Sequence, residues 1–219
     1  MCGFAGFADF SQPFPGQQQH WLDLARSMAR RIAHRGPDGH GASFSPHCVL
    51  AHARLAVMDP QHGQQPLSLP WQGHQVSIAY NGEVYNAPQL RGELEALGFS
   101  FASRCDTEVV LASYLAWGPD CARRLQGIFA FAIYDPAAPR LLLCRDPFGV
   151  KPLFLTRWQG RLAFASEIKA LLQLPGVRPV VDKDGLREVF ALGPARTPGC
   201  GVFQGVWELK PGHLALLDP

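Results

Sequence analysis

An α+β domain, with helices covering antiparallel sheets, is the fold class this sequence predicts, and three observations carry the prediction. Helix-period segments come early, at His20–Ala33, at Pro88–Leu97 and after Asp106. A dense series of short strand-like segments then runs from Ile128 to Ala165, and helical patterns return at Ser166–Leu174 and Lys183–Leu192. Strands grouped together, and not alternating one by one with helices, favour antiparallel sheets with helical layers on them. The 219 residues, 47% hydrophobic and 17% charged, suffice for a single domain spanning 1–219 with a sizeable core.

Taken in order, Met1–Asp9 (MCGFAGFAD) is small and apolar and reads as an N-terminal strand. From His20 to Ala33 the residues Leu22, Ala25, Met28, Ala29 and Ile32 recur at helical spacing, and the breaker-rich loop His34-Arg35-Gly36-Pro37-Asp38-Gly39 ends that helix. Cys48–Val57 reads as strand and Asp59–Pro70 as polar loop. Val76–Tyr80 alternates and runs into Asn81-Gly82, the dipeptide favoured in two-residue hairpin turns. Pro88–Leu97 is an amphipathic helix stopped by Gly98, and a further helix, with Asp106 placed as its N-cap, stops at Gly118. Strands follow at Ile128–Tyr134, Leu141–Arg145, Leu153–Thr156 and Leu162–Ala165, separated by Pro or Gly turns. The last residues, Gly212 to Pro219, break off inside a strand-like run, the ending expected of a piece of a longer protein.

Charge and composition exclude several classes. Twenty basic and eighteen acidic residues give a net charge of +2, so no basic footprint argues for nucleic acid or an anionic membrane. No apolar run reaches the ~20 residues of a membrane span, and the N-terminus lacks the pattern of a signal peptide. Cys2, Cys48, Cys105, Cys121, Cys144 and Cys200 are scattered without a C-x-x-C pair, as free thiols in a reducing compartment would be, so cytoplasm is the expectation. No His/Cys/Asp set has metal-ligand spacing, and no metal is expected.

Cys2 is the first candidate for chemistry. An initiator Met before a small residue is normally removed, which leaves a cysteine whose α-amine, with a pKa of about 7.7–8.0, sits on the same Cα as its thiol. Alone, a Cys-Gly start is also what a buried small residue looks like. Further strings follow in order: Cys2-Gly3-Phe4-Ala5-Gly6, His34-Arg35-Gly36-Pro37-Asp38, Ala53-Arg54-Leu55-Ala56-Val57-Met58-Asp59, Tyr80-Asn81-Gly82-Glu83-Val84-Tyr85-Asn86, Asp106-Thr107-Glu108, Arg145-Asp146-Pro147-Phe148-Gly149-Val150-Lys151-Pro152-Leu153 and Ala165-Ser166-Glu167. In this order and spacing, over nearly the whole chain, the set resembles the N-terminal glutaminase domain of asparagine synthetases, which are class II glutamine amidotransferases of the N-terminal-nucleophile hydrolase type.

The resemblance implies a four-layer αββα sandwich and the conversion of L-glutamine and water to glutamate and ammonia through a Cys2 thioester. It implies that the Asn81 amide and the Gly82 N–H form the oxyanion hole, although Asn-Gly alone is better read as a plain hairpin turn. Arg54 matches the arginine for the substrate α-carboxylate, with main-chain groups of Leu55, Ala56, Val57 and Met58 on the same wall. Asp106, helped by the main chain of Glu83, matches the partner of the α-ammonium, a role compatible with an N-cap. No role is implied for His34–Asp38 or Arg145–Leu153 beyond closing the pocket or facing the other half of the protein.

A C-terminal synthetase domain is the implied partner, and ATP and Mg are expected only there, so this segment needs no cofactor. The phosphate loop expected of such a domain, Ser-Gly-Gly-x-Asp-Ser, does not occur in the 219 residues. A homodimer is left open, and so is an amidated acceptor other than aspartate. A non-catalytic docking domain is the reading from a different class, but Cys2, Asn81 and Asp106 are all in place.

Overall fold

The computed structural model describes residues 1–193 and 195–219. Two antiparallel sheets form the middle of the molecule. The first has six strands in the order Val206–Glu208 (β10), Phe154–Trp158 (β8), Arg161–Ala165 (β9), Gly3–Ala8 (β1), Cys48–Arg54 (β3) and Gly39–Ser45 (β2). The second has five, in the order Leu214–Leu217 (β11), Arg140–Arg145 (β7), Gly127–Asp135 (β6), His74–Val84 (β5) and Leu67–Trp71 (β4). Helices Gln18–Arg31 (α1) and Ile168–Leu171 (α4) cover the first sheet, and Ala87–Ala96 (α2) and Asp106–Trp117 (α3) cover the second. Lys183–Leu192 (α5) buries only Gly185.

Side-chain size along the strands explains the layering. In β6, Ala130, Ala132 and Tyr134 point into the core between the sheets, while Phe129, Phe131 and Ile133 point to the core under α2 and α3. In β1, Phe4 and Ala8 face the other sheet, and Ala5 and Phe7 face α1. A strand buried on both faces reads as continuously apolar, because successive side chains alternate between two dry cores. Under α1 that core is aromatic: Phe7 packs edge-on against Phe14, Trp21 and Trp158. Arg161 lies over this cluster and pairs with Asp9 at 3.1 Å, the whole group being buried.

Several sequence expectations need correction. Asn81-Gly82 is no hairpin turn: both residues lie inside β5, paired with Ala130 and Phe129 of β6. A Cβ on Gly82 would sit 2.6 Å from the Ile128 carbonyl oxygen and 2.7 Å from Phe129 Cα, so close backbone approach, not turn geometry, requires the glycine. Asp106 is not the N-cap of α3 either. Cys105 holds that place without a side-chain cap, and the Asp106 carboxylate is turned to β5. The strand from Cys48 ends at Arg54, not Val57, and the supposed loop to Pro70 already contains the start of β4 at Leu67. Of Ser166–Leu174 only Ile168–Leu171 is α-helix. Strands β2 and β10 were not anticipated, since the half-buried GHGASFS and the three-residue VWE carry no clear alternation.

Candidate active site

The β1–β3 register pairs Gly3 with Ala53, which sets Cys2 beside Arg54 at one end of the first sheet. The second sheet brings Tyr80–Glu83 to the same place, and α3 brings its first turn. Together with the loop after β3 they enclose a cavity of about 180 Å³ lined by Cys2, Arg54, Leu55, Val57, Met58, Asn81, Gly82, Glu83 and Asp106, with Gln65, Tyr80, Thr107 and Lys151 among the rest. That is below the ~300–1,000 Å³ of drug-sized pockets and suits a molecule no larger than an amino acid. Of the nine residues expected besides Cys2, only Ala56 is missing from the wall: its N–H turns away to the Asp38 carboxylate at 2.8 Å.

The Cys2 thiol lies against Leu55, whose N–H donates to Sγ at 3.3 Å while Sγ–H donates to the Leu55 carbonyl at 3.5 Å. Behind it, the Arg35 guanidinium donates through Nε to the Cys2 carbonyl at 2.9 Å and is itself held by Glu167 at 2.9 Å. Phe4 N–H donates to Ser166 Oγ at 3.0 Å and Ser166 N–H returns to the Phe4 carbonyl at 2.9 Å. The His34–Asp38 and Ala165–Glu167 motifs therefore hold the start of β1. His34, exposed at the surface, adds a further contact to Glu167 at 2.9 Å.

Arg54 is buried, and its guanidinium donates to the carbonyls of Pro60 and Asp59, both at 2.8 Å. The loop is thus folded around the arginine, which still has N–H groups to spare for a carboxylate. Asp106 Oδ2 accepts from the Tyr80 hydroxyl at 2.5 Å and from Val84 N–H at 3.0 Å. Burial pushes its carboxyl above the ordinary 3.8, against the lowering effect of those two donors, and the neighbouring Glu83 adds to the rise. Of the same triplet, Thr107 lines the pocket, and Glu108 folds the preceding loop by accepting from Ala102 N–H, Ser103 N–H and Ser103 Oγ.

Asn81 is 1% exposed, and its Nδ2 has no partner within the protein. A buried amide donor left empty costs free energy unless something else fills it, so this atom marks where a ligand oxygen is expected. The outward N–H groups of β5 lead to the same point. Tyr80 N–H goes to Gln65 Oε1, Val84 N–H goes to Asp106, and Gly82, midway with the same outward parity, meets no side-chain acceptor among the described residues.

The Arg145–Leu153 motif builds a loop tied both to itself and to the segment around Glu208–His213. Arg145 donates to the carbonyls of Lys151, Gly149 and Leu209 and pairs with buried Glu208 at 3.1 Å. Asp146 accepts from the N–H groups of Phe148, Val150 and Lys151. The result sends the buried Lys151 into the pocket and leaves Phe148 83% exposed. Sequence reasoning missed Gln65, Tyr80, Thr107 and Lys151 as pocket residues; Tyr80, Thr107 and Lys151 stand inside quoted motifs, but nothing in the strings says which way they point. Among the described residues no cluster of His, Cys, Asp or Glu could hold a metal, and no helix is long and apolar enough to cross a membrane.

Residues 1–218 match the family described as a glutamine amidotransferase domain. Over 213 residues, 97% of the chain, the sequence is 43% identical to asparagine synthetase (glutamine-hydrolyzing) 3 of Bacillus subtilis. Over 219 residues it is 40% identical to asparagine synthetase (glutamine-hydrolyzing) 1 of the same organism. The chain spans about a third of the length of these curated relatives, 34% of each. Glutamine phosphoribosylpyrophosphate amidotransferase of B. subtilis shares the fold, with a TM-score of 0.65 over 78% of this chain and 43% of that one, at 21% identity.

Proposed function

Because the chain belongs to the glutamine amidotransferase domain family, we propose that it hydrolyses glutamine to glutamate and ammonia, with Cys2 as the nucleophile once Met1 is removed. One observation carries the reading: the thiol of Cys2 and the partnerless amide of Asn81 share a small cavity with Arg54 and Asp106. Arg54 takes the α-carboxylate of glutamine in a two-pronged pair, and Asp106 takes the α-ammonium. The side-chain amide then lies toward Cys2. The α-amine of Cys2 accepts the thiol proton, sulfur adds to the amide carbon, and the oxygen becomes an oxyanion bound by Asn81 Nδ2–H and Gly82 N–H. Collapse of this intermediate breaks the C–N bond, and the proton held on the α-amine leaves with ammonia. Water then cleaves the thioester to glutamate.

Met1 bears directly on this chemistry. While it is attached, the Cys2 nitrogen is an amide without a basic lone pair, and Met1 itself stands at the wall of the cavity. The ammonia, in this reading, passes to a C-terminal synthetase domain that uses ATP, Mg and aspartate. The names of the relatives and their threefold greater length support that step.

Ammonia release from glutamine by protein whose N-terminus is verified by intact mass is the test. Met1-free protein is expected to be active, while Met1-bearing protein and folded Cys2→Ala are expected to be inactive. Turnover by Met1-bearing protein at the processed rate would remove the N-terminal-nucleophile mechanism.

A further inference from the structure

β4 pairs with β5 only as far as Leu67 opposite Ile78, so beyond that point the outward edge of β5 has no strand beside it. Open backbone groups at this depth carry a cost unless side chains satisfy them. At Tyr80 two buried side chains do so. Gln65 Oε1 accepts the Tyr80 N–H at 2.7 Å, and His52 Nε2–H donates to the Tyr80 carbonyl at 2.9 Å. A carbonyl can only accept, so the contact fixes the His52 tautomer, and burial, with a smaller contribution from nearby Arg54, pulls the imidazole down to about 4, leaving it neutral. Gln65 also reaches α3, donating through Nε2 to Thr107 Oγ1 at 3.4 Å. The pair replaces one rung of the missing strand, and the rung stands immediately before Asn81 and Gly82.

We propose that Gln65 and His52 are positioning residues of the oxyanion hole. By capping both outward backbone groups of Tyr80 they set the pitch of β5, so that the Asn81 amide and the Gly82 N–H meet at the oxygen of the tetrahedral intermediate. Neither acts on the reacting atoms directly. The inference rests on the glutaminase reading above and assigns it two further residues.

The distinguishing experiment compares two ligands of Met1-free protein. Glutamate occupies the amino-acid cage alone. Glutamate γ-semialdehyde also adds the Cys2 sulfur to its carbonyl carbon, which places a tetrahedral carbon's oxygen in the hole. Gln65→Met, which removes the acceptor, should lower kcat for glutamine by roughly tenfold and weaken the semialdehyde by a similar factor, while glutamate affinity stays within about twofold. His52→Phe should move the same quantities in the same direction. Equal weakening of both ligands, or of neither, overturns the proposal, because a merely structural role would not separate them. Should Gln65→Met fail to fold, Gln65→Glu decides. It keeps an acceptor for Tyr80 N–H, so the ratio of the two affinities should stay near that of wild type, and a tenfold drop in that ratio overturns the proposal. Inactive Met1-free wild type, or an active Cys2→Ala, would instead bring down the glutaminase reading and this inference with it.

Discussion

Asn81 is the residue whose environment is hardest to explain without a ligand, since a fully buried amide donor is normally satisfied. If its partner is the oxyanion, Asn81→Ala should cost about 10²–10³ in kcat with little change in glutamate affinity. Steady-state kinetics beside a glutamate titration checks this, and a loss below about tenfold would leave Asn81 as strand only. Asp106 should behave in the opposite way. In the proposed role its carboxylate holds the α-ammonium only when ionised, and burial raises its pKa above the ordinary 3.8. Glutamine affinity should therefore be full at neutral pH and fall on acidification through a midpoint above 3.8. Asp106→Asn should weaken binding and remove that acid limb together, as a pH series of KM would reveal. Arg54→Ala should weaken glutamine binding by ~2–5 kcal/mol, which the same titration measures.

Elements differ in how firmly the rest of the molecule holds them. β5 lies between β6 and the short edge strand β4, and its one-residue alternation decides the site: Tyr80, Gly82 and Val84 present their N–H groups outward while Asn81 pairs with β6. α5 is held more lightly. Its N-cap is Asp182, whose side chain accepts from Asp184 N–H at 3.1 Å and Gly185 N–H at 2.9 Å. A Cβ on Gly185 would fall 2.0 Å from the Val202 carbonyl oxygen. Losing such a cap costs ~1 kcal/mol. Asp182→Ala should thus speed amide exchange in Lys183–Leu192 while protection in β5 and β6 stays unchanged. Equal loosening of β5 would mean that α5 is part of the main cooperative unit.

On the scale of the whole molecule, the candidate pocket belongs to neither sheet alone. Cys2 and Arg54 come from the first, Asn81 and Gly82 from the second, and the core between them holds the two at a fixed separation. Phe164 is fully buried in that core, beside Phe4 with ring centroids 6.4 Å apart. Phe164→Ala should cost ~3–5 kcal/mol by cavity formation. Urea unfolding should then shift as one transition, with activity lost together with the fold. A separate, earlier loss of activity would show that the sheets part before they unfold.

What the sequence alone determined was local or came as a pattern. Apolar periodicity located α1, α2, α3, α5 and the strands β1, β3 and β5 to β9, because burial on one or two faces writes itself directly into side-chain spacing. The ordered motifs identified Cys2, Arg54, Asn81, Gly82 and Asp106, which the fold collects into a single cavity. Tertiary structure decided everything that depends on a distant partner. Asn-Gly is a turn by local propensity, yet here it is mid-strand, because β6 supplies pairing that outweighs the local preference. Asp106 is an N-cap by position, yet Tyr80 and Val84 draw its carboxylate to β5. Gln65 and His52 could not be found from the strings, since their meaning lies in one rung of β5 beyond the point where β4 stops.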